Sequence, residues 1–102
     1  MRAEDLIAGL HHRGLVAIDR GTLLELIDAA DVLREEDTHL AGWIRILALG
    51  DSILVQEETP KGEVLVRRMP SRECADSFVD LRIQSYERMW DGCGCRIDYY
   101  AE

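Results

Sequence analysis

Hydrophobic residues near the start of the chain recur at helical spacing. Over residues 3–12, Leu6, Ile7 and Leu10 share a helical face, and Gly14 follows as a typical helix stop. The next stretch, 15–18, is apolar and favours extended structure. The pattern therefore predicts a short helix followed by an extended segment that packs against the core.

A second helical pattern spans residues 22–36. Thr22 and Glu25 have the spacing of a capping box, which is typical of a helix N-terminus. Apolar residues then follow every three or four positions from Leu23 to Leu33. We expect one helix over 22–36.

Turn signals divide the middle of the chain into shorter segments. The apolar run 43–49 fits a helical face as well as a strand, but the Gly-Asp pair at 50–51 favours a strand. Residues 53–58 and 63–69 flank a Thr-Pro-Lys-Gly turn and predict a β-hairpin. A three-stranded meander that includes 43–49 is the fuller form of this prediction.

The longest helical pattern begins after Pro70. Ser71 is a candidate N-cap, and Gly92 is a typical stop. Between them, one helical face carries Ala75, Val79, Ile83, Tyr86 and Trp90. Residues 96–100 alternate between polar and apolar and are a candidate edge strand.

These elements predict a single α+β domain over residues 1–102. It has N-terminal helices, a β-hairpin or three-stranded antiparallel meander, a long C-terminal helix and a short Cys-Gly-Cys tail. Another interpretation takes 3–49 as three helices and 53–69 as a wing. In that winged-helix regulator, 39–49 would be the recognition helix and would offer only Arg45 to DNA.

Composition and charge narrow the function. Hydrophobic residues make up 47% of the chain, which is typical of a globular core. The net charge of −8 repels phosphate groups, so we expect neither nucleic-acid binding nor docking on an anionic membrane. The first residues lack the pattern of a signal peptide, which favours the cytoplasm and reduced thiols.

The sequence contains no motif that predicts catalysis. It has no glycine-rich nucleotide loop, and none of its serines lies in a nucleophile-elbow context. We therefore expect a protein that is not an enzyme.

The clearest chemical feature is a pair of cysteines, Cys93 and Cys95, separated by one glycine after the last helix. Their position beyond a helix C-terminus keeps the thiol pKa normal or raised, which argues against a redox catalyst. Two thiolates can still hold a soft, zinc-like metal ion. Cys74 lies nineteen residues before Cys93, which is about 25 Å or more along a helix, so it cannot be a third ligand within one chain.

Other groups would have to complete such a site. The candidates are a histidine (His11, His12 or His39), an aspartate, or the same turn of a second copy in a two-fold dimer. The alternatives for the pair are a strained, switchable disulfide, or two reduced and inert thiols.

Four aromatic residues and one methionine around the same end of the helix are of the types enriched at protein interfaces. They are Tyr86, Met89, Trp90, Tyr99 and Tyr100. Burial in the core is the alternative for the residues on the helix. The sequence thus predicts an accessory protein that binds a protein partner or forms a homodimer, with metal or redox chemistry at the thiol pair. A purely structural interaction domain without site chemistry is the second possibility.

Overall fold

The computed structural model describes residues 3–38 and 42–92, and side chains over 5–38 and 42–88. The helices are α1 (Ala3–Arg13), α2 (Arg20–Ala29) and α3 (Arg72–Gly92). The strands are β1 (Leu15–Ile18), β2 (Asp31–Asp37), β3 (Trp43–Leu49), β4 (Ser52–Glu58) and β5 (Val64–Met69).

The strands form one antiparallel sheet in the order β1-β5-β4-β3-β2. Successive residues of a strand point to opposite faces, so each face has its own core. Helices α1 and α2 cover one face, here called the α1/α2 face, and its buried core comprises Leu6, Leu10, Leu26, Leu47, Leu54 and Val66. Helix α3 covers part of the other face, the α3 face, where the buried core comprises Ile44, Ile46, Val55, Ala75 and Val79.

Most of the predicted elements are confirmed. Helix α1 and strand β1 match 3–12 and 15–18, and residues 43–49 are the strand that the turn signal favoured. The 53–58 and 63–69 hairpin pairs as predicted, and β3, β4 and β5 form the meander. Ser71 caps α3, because its Oγ accepts a hydrogen bond from the Cys74 backbone N–H at 3.1 Å.

The helix predicted over 22–36 is wrong beyond Ala29. Ala30 is extended, and Asp31–Asp37 forms an edge strand paired with β3. A register shift between Val32 and Arg34 lets Leu33 pack against the α3-face core. The helical spacing of Leu33 was therefore accidental, because a bulge rather than a helical turn brings it to the core.

The predicted capping box is also wrong. Asp19 is the N-cap of α2, and its Oδ1 accepts a 2.7 Å hydrogen bond from the Thr22 backbone N–H. This bond lowers the pKa of Asp19. The N-cap therefore lies three residues before Thr22, the residue that the capping box predicted. Thr22 itself is buried in the first turn of α2.

The sheet has five strands where the sequence predicted two or three. The winged-helix interpretation is wrong in its fold, because it needs a helix over 39–49 and residues 43–49 are a strand. The Cys-Gly-Cys tail and the candidate strand 96–100 lie outside the described residues. No helix in the described part of the chain has both the length and the apolar character needed to cross a bilayer.

Two leucines on α2 test the layer arrangement. Leu26 is 2% exposed and Leu24 is 69% exposed. We expect Leu26→Ala to lower the free energy of unfolding by about 2–5 kcal/mol, since it leaves a cavity in the α1/α2-face core. Leu24→Ala is the control, expected to change it by less than about 0.5 kcal/mol. Urea unfolding of both variants measures the difference, and equal losses would contradict the assignment.

Candidate functional site

The central strand β4 ends in three consecutive buried polar residues, Gln56, Glu57 and Glu58. Glu57 points to the α3 face, while Gln56 and Glu58 point to the α1/α2 face. Burying a carboxylate is costly unless donors surround it. The hydrogen-bond and ion-pair partners of these residues therefore show which contacts offset the cost of burying them.

Glu57 is 1% exposed and binds donors from α3 and β5. Arg82 donates through Nε to Oε2 at 3.1 Å and through Nη2 to Oε1 at 3.3 Å, a bidentate arrangement. The Tyr86 hydroxyl donates to Oε2 at 3.2 Å. Arg67 of β5 lies 3.5 Å from Oε1. This cluster fixes the second half of α3 to the centre of the sheet.

The surroundings of Glu57 change the acid–base properties of two neighbours. Burial, and then the charge of Glu57, raise the pKa of Tyr86 above its ordinary value of 10.0. Burial acts to lower the pKa of Arg82, but its hydrogen bond and attraction to Glu57 outweigh burial and raise it. Both groups keep their protons at neutral pH.

The arginines of this cluster outnumber its carboxylate. The guanidinium carbons of Arg67 and Arg82 lie 5.1 and 5.8 Å from the ring centroid of Phe78. Arg67 Nε is buried and has no hydrogen-bond partner among the described residues. Two guanidinium groups face one carboxylate, so the cluster is cationic within an acidic chain.

A second polar network lies on the α1/α2 face. Glu58 pairs with Arg20 at 3.0 Å and accepts a hydrogen bond from the Trp43 backbone N–H at 3.1 Å. Arg45 donates to Gln56 Oε1 at 2.7 Å and stacks on the Trp43 ring at 5.7 Å. Arg45 also pairs with Glu35 of β2 at 2.6 Å, so two arginines face two carboxylates, and the contacts join β2, β3, β4 and the start of α2. We assign it a structural role.

Beside the Glu57 cluster, burial along β1 and β5 alternates with strand period. Val64 and Val66 point to the α1/α2 face and are buried, whereas Leu65 and Arg67 point to the α3 face and are only half-buried. In β1, Leu15 points to the α3 face and is 36% exposed. Helix α3 packs on β3, β4 and β5, so within residues 3–38 and 42–92 the β1 side of the sheet is open on this face.

The flank of α3 beside this opening is largely uncharged, with Arg82 at its inner side. Cys74, Phe78, Leu81 and Ser85 follow one another at spacings of four, three and four residues, which places them on one helix flank. The stacking of Phe78 on Arg67 shows that this flank faces β5. The opposite flank is acidic, and Arg34 of β2 binds its Asp76 and Asp80 at 3.1 and 2.7 Å.

The uncovered side of β1 and β5 and the adjoining flank of α3 together form a surface that we call the open trough. Leu15, Ala17, Leu65 and Arg67 form its floor, and Phe78, Leu81 and Arg82 form its wall. Leu81 is 61% exposed. The trough combines apolar side chains with two guanidinium groups and, among these residues, no carboxylate. It is suited to binding an apolar segment that carries negative charge.

The sequence-predicted site residues lie mostly outside the described part of the chain. Cys93, Cys95, Tyr99 and Tyr100 are beyond it, and the backbone of Met89 and Trp90 belongs to α3 while their side chains are not described. Tyr86 is 4% exposed and faces Glu57. The metal-site and tail predictions therefore stay predictions.

Within the described residues, no three His, Cys, Asp or Glu side chains are grouped so as to hold a metal ion. Cys74 is free and exposed. His11 Nδ1 instead lies 3.0 Å from Arg68 Nη1, beside an open cleft of about 390 Å³ lined also by Leu10 and Met69.

Sequence reasoning missed the Glu57 cluster and the trough. The one local signal was the run Gln56-Glu57-Glu58 at the end of an otherwise apolar strand. Polar residues at a strand end are common on a solvated edge, and only the sheet order shows that β4 is central. The donors Arg67 and Arg82 are ten and twenty-five positions away, which no local pattern connects to Glu57.

Comparison with known proteins gives no relative for this arrangement. No family model, curated protein or solved structure matches the chain.

The pKa of Tyr86 makes stability depend on pH in alkaline solution. Because the folded state holds the phenol proton more tightly, Tyr86 contributes stability below pH 10 that is lost as the pH rises through its raised pKa. We expect the free energy of unfolding of the wild type to fall more steeply above pH 10 than that of Tyr86→Phe. Urea unfolding at a series of pH values measures both slopes, and parallel slopes would contradict the assignment.

Proposed function

We propose that the protein is a small, non-enzymatic accessory protein that binds a protein partner. The open trough receives an amphipathic helix of that partner, with apolar side chains and at least one carboxylate. The observation that supports this is the alternating burial of β1 and β5, because it indicates that no described residue covers this side of the α3 face, beside a largely uncharged flank of α3.

The dimensions of the sheet favour a helical occupant. Strands lie about 4.8 Å apart, so a five-stranded sheet is about 19 Å wide between its outer strands. A helix with its side chains is about 10–12 Å across. Among the described residues, two helices cover the α1/α2 face, whereas α3 alone covers part of the other face. Since α3 takes about 10–12 Å of the sheet width, the uncovered strip is narrower than one helix, so a partner helix bound there would extend beyond the β1 edge.

The charges favour an acidic occupant. Arg67 and Arg82 are each about a third exposed, and they share one buried carboxylate. Arg67 Nε is buried and is not available to a partner. Each guanidinium has further N–H donors beyond those that contact Glu57, and a carboxylate from the partner would gain charge-assisted hydrogen bonds at their exposed parts. It would also neutralise the excess positive charge of the cluster.

The residues that the sequence predicts to bind a partner follow Tyr86 along the chain, in the last turns of α3 and beyond it. Met89 and Trp90 belong to the last turns of α3, beyond Tyr86, and Tyr99 and Tyr100 follow in the tail. We retain them as an extension of the partner surface. Tyr86 contributes by holding α3 in place through Glu57.

A peptide selection tests the trough. We expect a display library of short helical peptides, selected against the full chain, to yield amphipathic sequences with net negative charge. Leu81→Glu is expected to weaken a selected peptide at least about tenfold, or about 1.4 kcal/mol, because it adds repulsion at the wall. Fluorescence anisotropy of a labelled peptide measures the change.

The matched control is Leu24→Glu, the same substitution at an exposed leucine on the opposite layer. It is expected to leave peptide affinity unchanged. Selected peptides without acidic residues, or equal effects of the two variants, would show that the trough is not the binding surface.

We further propose that Cys93 and Cys95 hold a soft, zinc-like ion or form a switchable bond, in the reducing cytoplasm that the sequence predicts. Native mass spectrometry of protein purified under reducing conditions should show bound metal that disappears in Cys93→Ser/Cys95→Ser. If the wild type carries no metal, forms no reversible disulfide and binds the peptide as the variant does, the purely structural interaction domain is the better description.

A further inference from the structure

Among the strands that the structure describes, β1 is an outer strand of the sheet, and its unpaired edge has a defined hydrogen-bonding pattern. The Arg68 backbone N–H donates to Gly14 O at 3.1 Å, one residue before the Leu15–Arg67 pair. Hydrogen-bonded and non-bonded pairs alternate in antiparallel sheets. Val16 and Ile18 therefore bond to β5, while Leu15 and Ala17 direct their N–H and C=O groups outward.

This edge lacks the usual protection against strand pairing. Free edges are normally protected by charges or proline. The other outer strand, β2, has four acids and one arginine among its seven residues. β1 is Leu-Val-Ala-Ile, with Leu15 and Ala17 exposed. Among the described residues, no hydrogen bond outside the sheet ladder involves the backbone of Leu15 or Ala17.

We infer that β1 pairs antiparallel with β1 of a second copy of this chain. The two-fold axis passes midway between the Val16 residues of the two copies, and we call it the Val16 axis. In this register Leu15 lies opposite Ala17 of the second copy, and both pairs use the outward backbone groups. Leu15 and Ala17 both point to the α3 face, and residues directly opposite each other in an antiparallel pair must point to the same face. A shift of one residue would place residues of different faces opposite each other, which the pleat forbids.

Charge favours the same register. Continuing the alignment outward brings Arg13 level with Asp19 of the second copy, twice by symmetry. A two-fold axis through Ala17 would instead place Leu15 opposite Asp19, whose carboxylate already caps α2. The Val16 axis thus satisfies the backbone edge, the faces and the nearest charges together.

This inference rests on the proposed function, because pairing completes the trough. An axis perpendicular to the sheet places both α3 helices on one face. The two open troughs then merge into one groove, floored by β5, β1 and their symmetry copies and walled by two α3 helices. With strands about 4.8 Å apart, the outer floor strands are about 14 Å apart. A partner helix about 10–12 Å across would lie along this groove and contact both copies.

Cysteine substitution tests the axis in the full chain with Cys74, Cys93 and Cys95 replaced by serine. In a non-hydrogen-bonded antiparallel pair the Cα atoms are about 4.5 Å apart, within disulfide range. We expect Val16→Cys to form a covalent dimer of twice 11.6 kDa under mild oxidation. The control Ile18→Cys lies on the same face two residues away from the axis, and it should stay uncrosslinked. Equal crosslinking of both variants, or of neither, would overturn the inference.

A second variant tests the backbone bonds. Proline is tolerated where an edge-strand N–H faces solvent, so Ala17→Pro should keep the monomer folded while removing an outward donor. Sedimentation should show a dimer for the wild type and a monomer for this variant, with circular dichroism confirming the fold. If the variant does not fold, the Val16→Cys crosslink decides.

Peptide binding separates the two proposals. If Ala17→Pro is monomeric and binds the selected peptide at least about tenfold more weakly, both stand. Full-affinity binding by the monomer would show that one trough suffices; it would overturn the merged groove and leave the proposed function intact, while the Val16→Cys crosslink and sedimentation decide the pairing. A crosslinked Val16 dimer that selects no acidic peptide would remove the proposed function and leave the pairing intact.

Discussion

The buried carboxylate of Glu57 is the constraint on which the arrangement of α3 depends. An ionised group in the middle of a sheet is tolerated only when donors surround it, and removing those donors would leave an uncompensated charge. Two of its donors, Arg82 and Tyr86, lie on α3, and Arg67 approaches from β5. The second half of α3 is therefore held over β4 by polar contacts, while its first half packs through Ala75 and Val79.

The position of α3 decides what the rest of the α3 face presents. A helix held over the centre of the sheet cannot also cover its β1 side, although α1 and α2 together cover the opposite face. The donors of Glu57 then have a second role, because their guanidinium groups line the uncovered area. One interaction thus both secures the helix and supplies the charge of the open trough.

Local patterns predicted most elements because their signals are short-range. Alternation and turn residues defined β3, β4 and β5, and a serine before an amphipathic run defined the start of α3. They were wrong over Asp31–Asp37, where Leu33 continued the helical spacing of α2. Pairing with β3 determines that segment, and a bulge places Leu33 in the core. Non-local hydrogen bonds overrode a local preference there.

The candidate site, like the fold, was predictable from the sequence only in part. Composition and local pattern were enough to predict an acidic chain with a hydrophobic core, a long helix with interface-type residues, and a thiol pair next to it. They did not predict that Glu57 lies on the central strand of the sheet, that two distant arginines bind it, or that β1 is an outer strand. Those properties follow from strand order, and strand order arises from pairings between residues far apart in the chain. Which face the described residues leave open, and which backbone groups point outward, therefore follow from long-range pairing and could not be predicted locally.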